Sequence, residues 1–280
     1  MPESESFSLG PGAEVPWVGL LLAAAGIALL PVANYLIRTL VPERRVFFAR
    51  WGFSHVARVI LAGVLVMFLV GVWMGLLGWT EPGEANPLGQ LAMQMLILGF
   101  PCLVAVGYAK RCEVIGWRAL GLPAGRDLRA LVAAVVAFVF ILPVLLGVGL
   151  LWPSILEFFG EASVPQDVML TIQSLEGSEV FFGLLIAIAI QPFLEEVLFR
   201  GFLQPLLVQN LSDRGGVVAT SVLFALLHGP AFFLPVFVLS LAIGAVMLRT
   251  RRLSAAWLVH ALNNATVFLI ADSASPASLL

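Results

Sequence analysis

The chain has 280 residues, of which 60% are hydrophobic and only 11% charged, and its mean hydropathy is +1.02. Soluble domains are usually about 45–50% apolar and about 25% charged, so a sizeable soluble domain is excluded and a polytopic membrane protein is indicated. The net charge of −2 gives no electrostatic case for a nucleic-acid partner.

Residues 1–15 are acidic and polar and lack the basic n-region of a cleavable signal peptide. A spanning helix needs about 20 apolar residues. Eight apolar segments follow, at 16–37, 59–79, 88–108, 130–152, 180–199, 217–228, 232–248 and 253–270. They predict an all-α bundle of about eight transmembrane helices, one membrane-embedded domain over 16–270 and a short tail over 271–280. The segment 217–228 is too short to cross alone. It must end inside the protein or run on through Gly229-Pro230, where a proline breaks or kinks it.

Loop charges predict the orientation. Arg38, Arg44, Arg45, Arg50 and Arg58 fill the first connection, and Lys110, Arg111, Arg118, Arg126 and Arg129 the third. Arg200 and Arg214 follow the fifth segment, and Arg249, Arg251 and Arg252 the seventh. The connections at 80–87 and 153–179 and the C-terminal tail have no Lys or Arg. This alternation is what the positive-inside rule requires of eight spans with both termini outside the cytoplasm, in a plasma (inner) membrane. The two cysteines, Cys102 in an apolar run and Cys112 after Lys110-Arg111, read as reduced thiols that make neither a disulfide nor a zinc motif.

The fifth segment is almost free of polar side chains up to Leu194, and then Glu195, Glu196 and Arg200 appear. A charge at such depth costs roughly 2.5–3.5 kcal/mol, so it is retained when paired, cavity-facing or chemically used. Glu196 and Arg200 are four apart and share a helix face, so they can pair. Glu195 is rotated by about 100° from Glu196 and is free to face a cavity. Pro192 removes a backbone donor one turn earlier and bends the helix.

The remaining polar residues in apolar segments fall mainly at His228, His260, Asn263 and Asn264. Phe224 and His228 are four apart on one face, as are His260 and Asn264, with Asn263 pointing elsewhere. Trp257 reads as an interfacial belt residue. By helical rise and the loop topology, Glu195, His228 and His260 sit at overlapping depths toward the cytoplasmic side. There is no His-Glu-x-x-His helix, no Gly-x-Ser-x-Gly context around Ser221 or Ser240, and no pair of aspartates within a helix. Two schemes use the same residues. Glu195 with a histidine could deprotonate a water while an imidazole and an amide donate to an oxyanion. Alternatively, Glu195, His228 and His260 could ligate one zinc with an open fourth position.

Glu195-Glu196-x-x-x-Arg200 followed by Gly201, then Phe224-x-x-x-His228, then His260-x-x-x-Asn264, resembles the CPBP intramembrane proteases. That family includes the type II CAAX prenyl endopeptidases and the Abi and bacteriocin-processing proteins. The motif half covers about 187–268. The segment from Trp117 to Leu122, WRALGL, is similar to a cytoplasmic segment of bacterial members. The resemblance implies a helical membrane fold with a buried site open to the cytoplasmic side. It implies that Glu195 with His228 activates water, that His260 and Asn264 stabilise the oxyanion, and that Glu196, Arg200 and Phe224 support the site. It is compatible with glutamate-dependent and zinc-dependent hydrolysis, and the glutamate scheme is preferred. The expected substrate is a membrane-associated or lipid-modified protein or peptide in the lipid bilayer. The competing readings are a non-catalytic immunity or scaffold protein of the same fold, and an ion-coupled transporter. The latter is disfavoured because no internal repeat is visible.

Overall fold

The computed structural model describes residues 14–41, 49–78, 87–113, 116–122, 128–161 and 167–273. These residues form α1 (Glu14–Leu40), α2 (Phe53–Leu76), α3 (Pro87–Cys112), α4 (Leu128–Phe158), α5 (Asp167–Gln173), α6 (Ser178–Leu211), α7 (Asp213–Leu226), α8 (Phe233–Thr250) and α9 (Leu253–Ser273). Short 3-10 turns at Gly116–Leu120 and Pro230–Phe232 complete an all-helical bundle.

Among the described residues, seven helices are long and apolar enough to cross a membrane: α1, α2, α3, α4, α6, α8 and α9. The chain is thus a multi-pass membrane protein. The eighth expected span is α7, whose 14 residues reach about 21 Å, short of a hydrocarbon core of about 30 Å. The helix stops at Leu226, with Leu226 and Leu227 exposed, and a break at Gly229-Pro230 separates it from α8. Gly229 explains the stop. Its backbone lies at φ 76, ψ 170, a region accessible essentially to glycine alone, and Pro230 follows it. The tails at 1–13 and 274–280, together with Arg44, Arg45 and Arg126, lie outside the described residues.

Helices α4, α8 and α9 make the centre. Ala130, Ala134, Ala255 and Ala256 are fully buried there against Ile243 and Val259. Small side chains let helix backbones approach where lipid supplies no hydrophobic drive for association. A second cluster joins α2, α3, α6 and the start of α9 through Trp51, Ala105, Ala109, Leu120, Phe202 and Leu253. Leu120 also packs against Gly201, and the Leu253 amide donates to the Gly121 carbonyl at 2.9 Å. The 3-10 turn therefore ties α6 to α9, the two helices that carry the glutamates and His260.

Helix α1 lies along α4. An added Cβ on Gly147 would come within 2.5 Å of the Ala23 nitrogen and the Gly19 oxygen, so this approach requires glycine. Large apolar side chains such as Leu21 on α1 and Leu61, Phe68 and Leu76 on α2 face outward, as a lipid-facing surface requires.

Gly229→Ala tests the stop after α7. No atom lies within 4 Å of the added methyl, so its whole cost is the backbone strain, about 1–3 kcal/mol. The thermal unfolding temperature of the detergent-solubilised protein is expected to fall; an unchanged value would contradict this account of the turn.

Candidate active site

The site begins with two irregularities in α6. The helix widens into π-type turns at Ile186–Ile190 and Val197–Leu203, and each precedes a proline, Pro192 and Pro205. Proline has no N–H, and its ring presses on the carbonyl one turn earlier, so the hydrogen-bond ladder must be rearranged. Donors from other helices use the carbonyls this exposes. Asn264 Nδ2 donates to the Ala187 carbonyl at 2.9 Å, and Trp257 Nε1 to the Ala189 carbonyl at 2.8 Å. Trp257 is therefore a half-buried bridge between α9 and α6, a role its sequence position does not suggest. Further along, Trp51 Nε1 donates to the Phe202 carbonyl at 2.9 Å and stacks on the Phe202 ring.

Glu196 and Arg200 are both 0% exposed. Arg200 Nε lies 3.2 Å from Glu196 Oε2, the i,i+4 pairing expected from the sequence. Arg200 Nη2 also donates to Ser240 Oγ on α8 at 2.7 Å. The guanidinium carbon sits 4.5 Å from the centroid of the Phe224 ring. One carboxylate, one hydroxyl and one aromatic face thus surround a cation that water does not reach.

The other carboxylate oxygen of Glu196 turns to α9, where His260 Nδ1 lies 2.8 Å from Oε1. Since a carboxylate paired with arginine only accepts, His260 donates through Nδ1–H. That fixes its Nε2 toward Glu195, whose Oε2 is 3.8 Å away. Glu195 Oε1 accepts from Gln191 Nε2 at 3.0 Å. Two adjacent glutamates therefore have different surroundings: Glu196 is sealed in the ion pair, whereas Glu195 lines a cavity of about 540 Å³. His228, His260, Asn263 and Asn264 line the same cavity, with Phe199 and Phe224 as aromatic wall. The ring of Phe224 contacts those of His228 and His260, at centroid distances of 4.6 and 5.8 Å.

His228 Nδ1 is 2.8 Å from the Phe224 carbonyl. A carbonyl only accepts, so Nδ1 carries the proton and the Nε2 of a neutral ring keeps its lone pair. Asn263 departs from its sequence reading. It reaches the cavity and lies 3.4 Å from Asn264 Oδ1.

A family model described as type II CAAX prenyl endopeptidase Rce1-like matches residues 177–266. Over those residues the chain is similar to that family's domain. The match runs from the start of α6 to α9 and so takes in the glutamates, both histidines and Asn264. No curated protein and no solved structure matches the chain.

The zinc scheme gathers Glu195, His228 and His260. Among the described residues, no group of three or more His, Cys, Asp or Glu side chains is placed to hold a metal ion. Both thiols are free; Cys102 Sγ is spent on the Leu194 carbonyl at 3.1 Å. The donor set as arranged does not fit zinc.

Three polar residues escaped the sequence reading. Gln191 sits one turn before Glu195, and that i,i+4 spacing was the signal for it. Ser240 is Arg200's partner and not a nucleophile; its place as a hydroxyl in the middle of the apolar α8 is the clue. Gln94 on α3 lines the cavity with no short-range signal in the sequence.

Two outcomes follow from this geometry. Glu196→Gln removes the charge opposite Arg200 but keeps an acceptor for His260, and should cost about 3 kcal/mol of stability, the low end for a broken buried pair. Adding Arg200→Met should recover part of that loss in thermal unfolding; a single variant as stable as wild type would contradict the pairing. Trp257→Phe keeps the packing but removes one hydrogen bond, worth about 1 kcal/mol. It should lower the unfolding temperature, and no change would show the α9–α6 bridge to be idle.

Proposed function

We propose that this protein is an intramembrane endopeptidase that hydrolyses a peptide bond by direct attack of water. The observation that carries the reading is the unequal pair: Glu195 faces the cavity while Glu196 is bound to Arg200 and His260. A general base must be able to touch its substrate, and only the first glutamate can.

In this reading Glu195 takes a proton from a water held in the cavity, and the lone pair of His228 Nε2 accepts the second water hydrogen and aims the oxygen. The oxygen attacks the scissile carbonyl carbon. The carbonyl oxygen becomes an oxyanion and accepts from His260 Nε2–H, in the imidazolium form, and from the second N–H of Asn264 Nδ2. Collapse breaks the C–N bond, and the leaving nitrogen takes the proton held by Glu195. Glu196 and Arg200 do not touch substrate; they hold the His260 ring through Nδ1, as the buried carboxylate of a catalytic triad holds its histidine. Phe224 packs beneath both imidazoles.

The substrate in this reading is a membrane-associated or lipid-modified protein or peptide. Support comes from the matched family's description and from apolar cavity walls such as Ile97, Leu98, Val236 and Phe268. The plasma (inner) membrane, with the site toward the cytoplasmic side, is the placement the arginine-rich connections favour.

Glu195→Gln is expected to leave the unfolding temperature unchanged, because Gln191 can still donate to the amide oxygen. It should lower cleavage by at least about 100-fold, the low end for loss of a general base. The readout is the set of new protein termini in membranes of cells making wild type or variant at equal levels. Termini confined to wild type support proteolysis and identify the substrate. Identical sets from two folded proteins would turn the reading to a non-catalytic scaffold.

A further inference from the structure

A second cavity of about 720 Å³ opens on the other side of α8. Val236 and Leu239 face the candidate active site, whereas Val238, Leu241 and Ala242 face this cleft. Its other walls are the C-terminal half of α1 and the middle of α4, through Leu30, Ile37, Ala137 and Ile141.

The cleft is sharply divided in polarity. Arg38, Arg214, Arg249 and Arg251 line one end, with Asp213 the sole acidic lining residue among the described residues. These residues sit at the end of α1, the start of α7 and the end of α8, so three helix termini converge on one spot. Above them the walls are almost wholly aliphatic. From Arg249 up α8 to Val238 is about 16 Å, close to the half of a bilayer core, about 15 Å, that one leaflet supplies to an acyl chain.

Arg249 has a partner of its own; among the described lining residues, Arg38, Arg214 and Arg251 still outnumber Asp213 by three to one. Arg251 reports that excess locally. Its Nε is buried and has no hydrogen-bond partner among the described residues. Burial lowers its proton affinity below the ordinary arginine value, and Asp213 offsets this in part. Neither an aliphatic peptide nor a neutral lipid would relieve that charge.

We propose that this cleft is a binding site for one anionic phospholipid, with its phosphate among Arg38, Arg214, Arg249 and Arg251 and an acyl chain along the groove between α1, α4 and α8. The bilayer is the source of the ligand. A basic residue near a lipid headgroup contributes about fivefold in affinity, so loss of two should weaken binding roughly 30-fold.

The test uses the full-length protein in vesicles of phosphatidylcholine containing a minor fraction of phosphatidylglycerol, solubilised and examined by native mass spectrometry. Wild type is expected to retain one phosphatidylglycerol in preference to phosphatidylcholine. Arg38 and Arg214 are exposed, so Arg38→Gln/Arg214→Gln does not disturb the core. This variant should bind phosphatidylglycerol roughly 30-fold more weakly. Ala245, an exposed wall residue of the cleft, gives a second variant. Ala245→Trp fills the groove and should expel the lipid while leaving the arginines in place. Equal retention of the two lipids, or wild-type retention by the arginine variant, would overturn the proposal. Loss on adding inorganic phosphate, with Ala245→Trp unaffected, would overturn it in favour of a site for a free phosphate group.

Discussion

A guanidinium sealed away from water sets the terms for the rest of the site. Arg200 is fully buried, and an isolated charge there would cost more than the fold could sustain. It is tolerated because Glu196 on its own helix, Ser240 on α8 and the Phe224 ring on α7 converge on it. Those contacts recruit three helices to one point. They also leave the second oxygen of Glu196 one direction to turn, toward His260 on α9. The orientation of the histidine in the cavity is thus a consequence of how a structural charge is neutralised.

The two prolines of α6 provide the complementary half of the architecture. A regular helix would satisfy its own carbonyls and offer nothing to α9. By widening ahead of Pro192, α6 presents the Ala187 and Ala189 carbonyls to Asn264 and Trp257. Irregular backbone of this kind is tolerated in a membrane only where protein covers it or a cavity opens beside it. Both conditions hold here. The second widened stretch, Val197–Leu203, carries Arg200 itself.

What short-range spacing can express was legible in the sequence. The pairing of Glu196 with Arg200, the rotation of Glu195 toward a cavity, and the termination of the short sixth segment near Gly229-Pro230 all follow from helical geometry over a few residues. What depends on contacts between distant helices was not. Glu196 and His260 are 64 residues apart, and Arg200 and Ser240 are 40 apart; no local pattern states that either pair meets. Trp257 illustrates the same boundary. Its place near a basic connection suggested an interfacial anchor, but the acceptor that claims its indole exists only because α6 is irregular. The count of spans differed for a related reason: α7 is apolar enough for a membrane, but its length is set by a glycine whose backbone geometry sequence alone does not display.

Whether Glu195 activates water without a metal can be measured with purified protein in lipid vesicles. Membrane peptides would be added with and without a strong chelator, and the new termini sequenced for wild type and Glu195→Gln side by side. The account predicts cleavage by wild type that persists in chelator and is lost in the variant. Cleavage by the variant, or loss of wild-type cleavage in chelator with recovery on adding zinc, would contradict it.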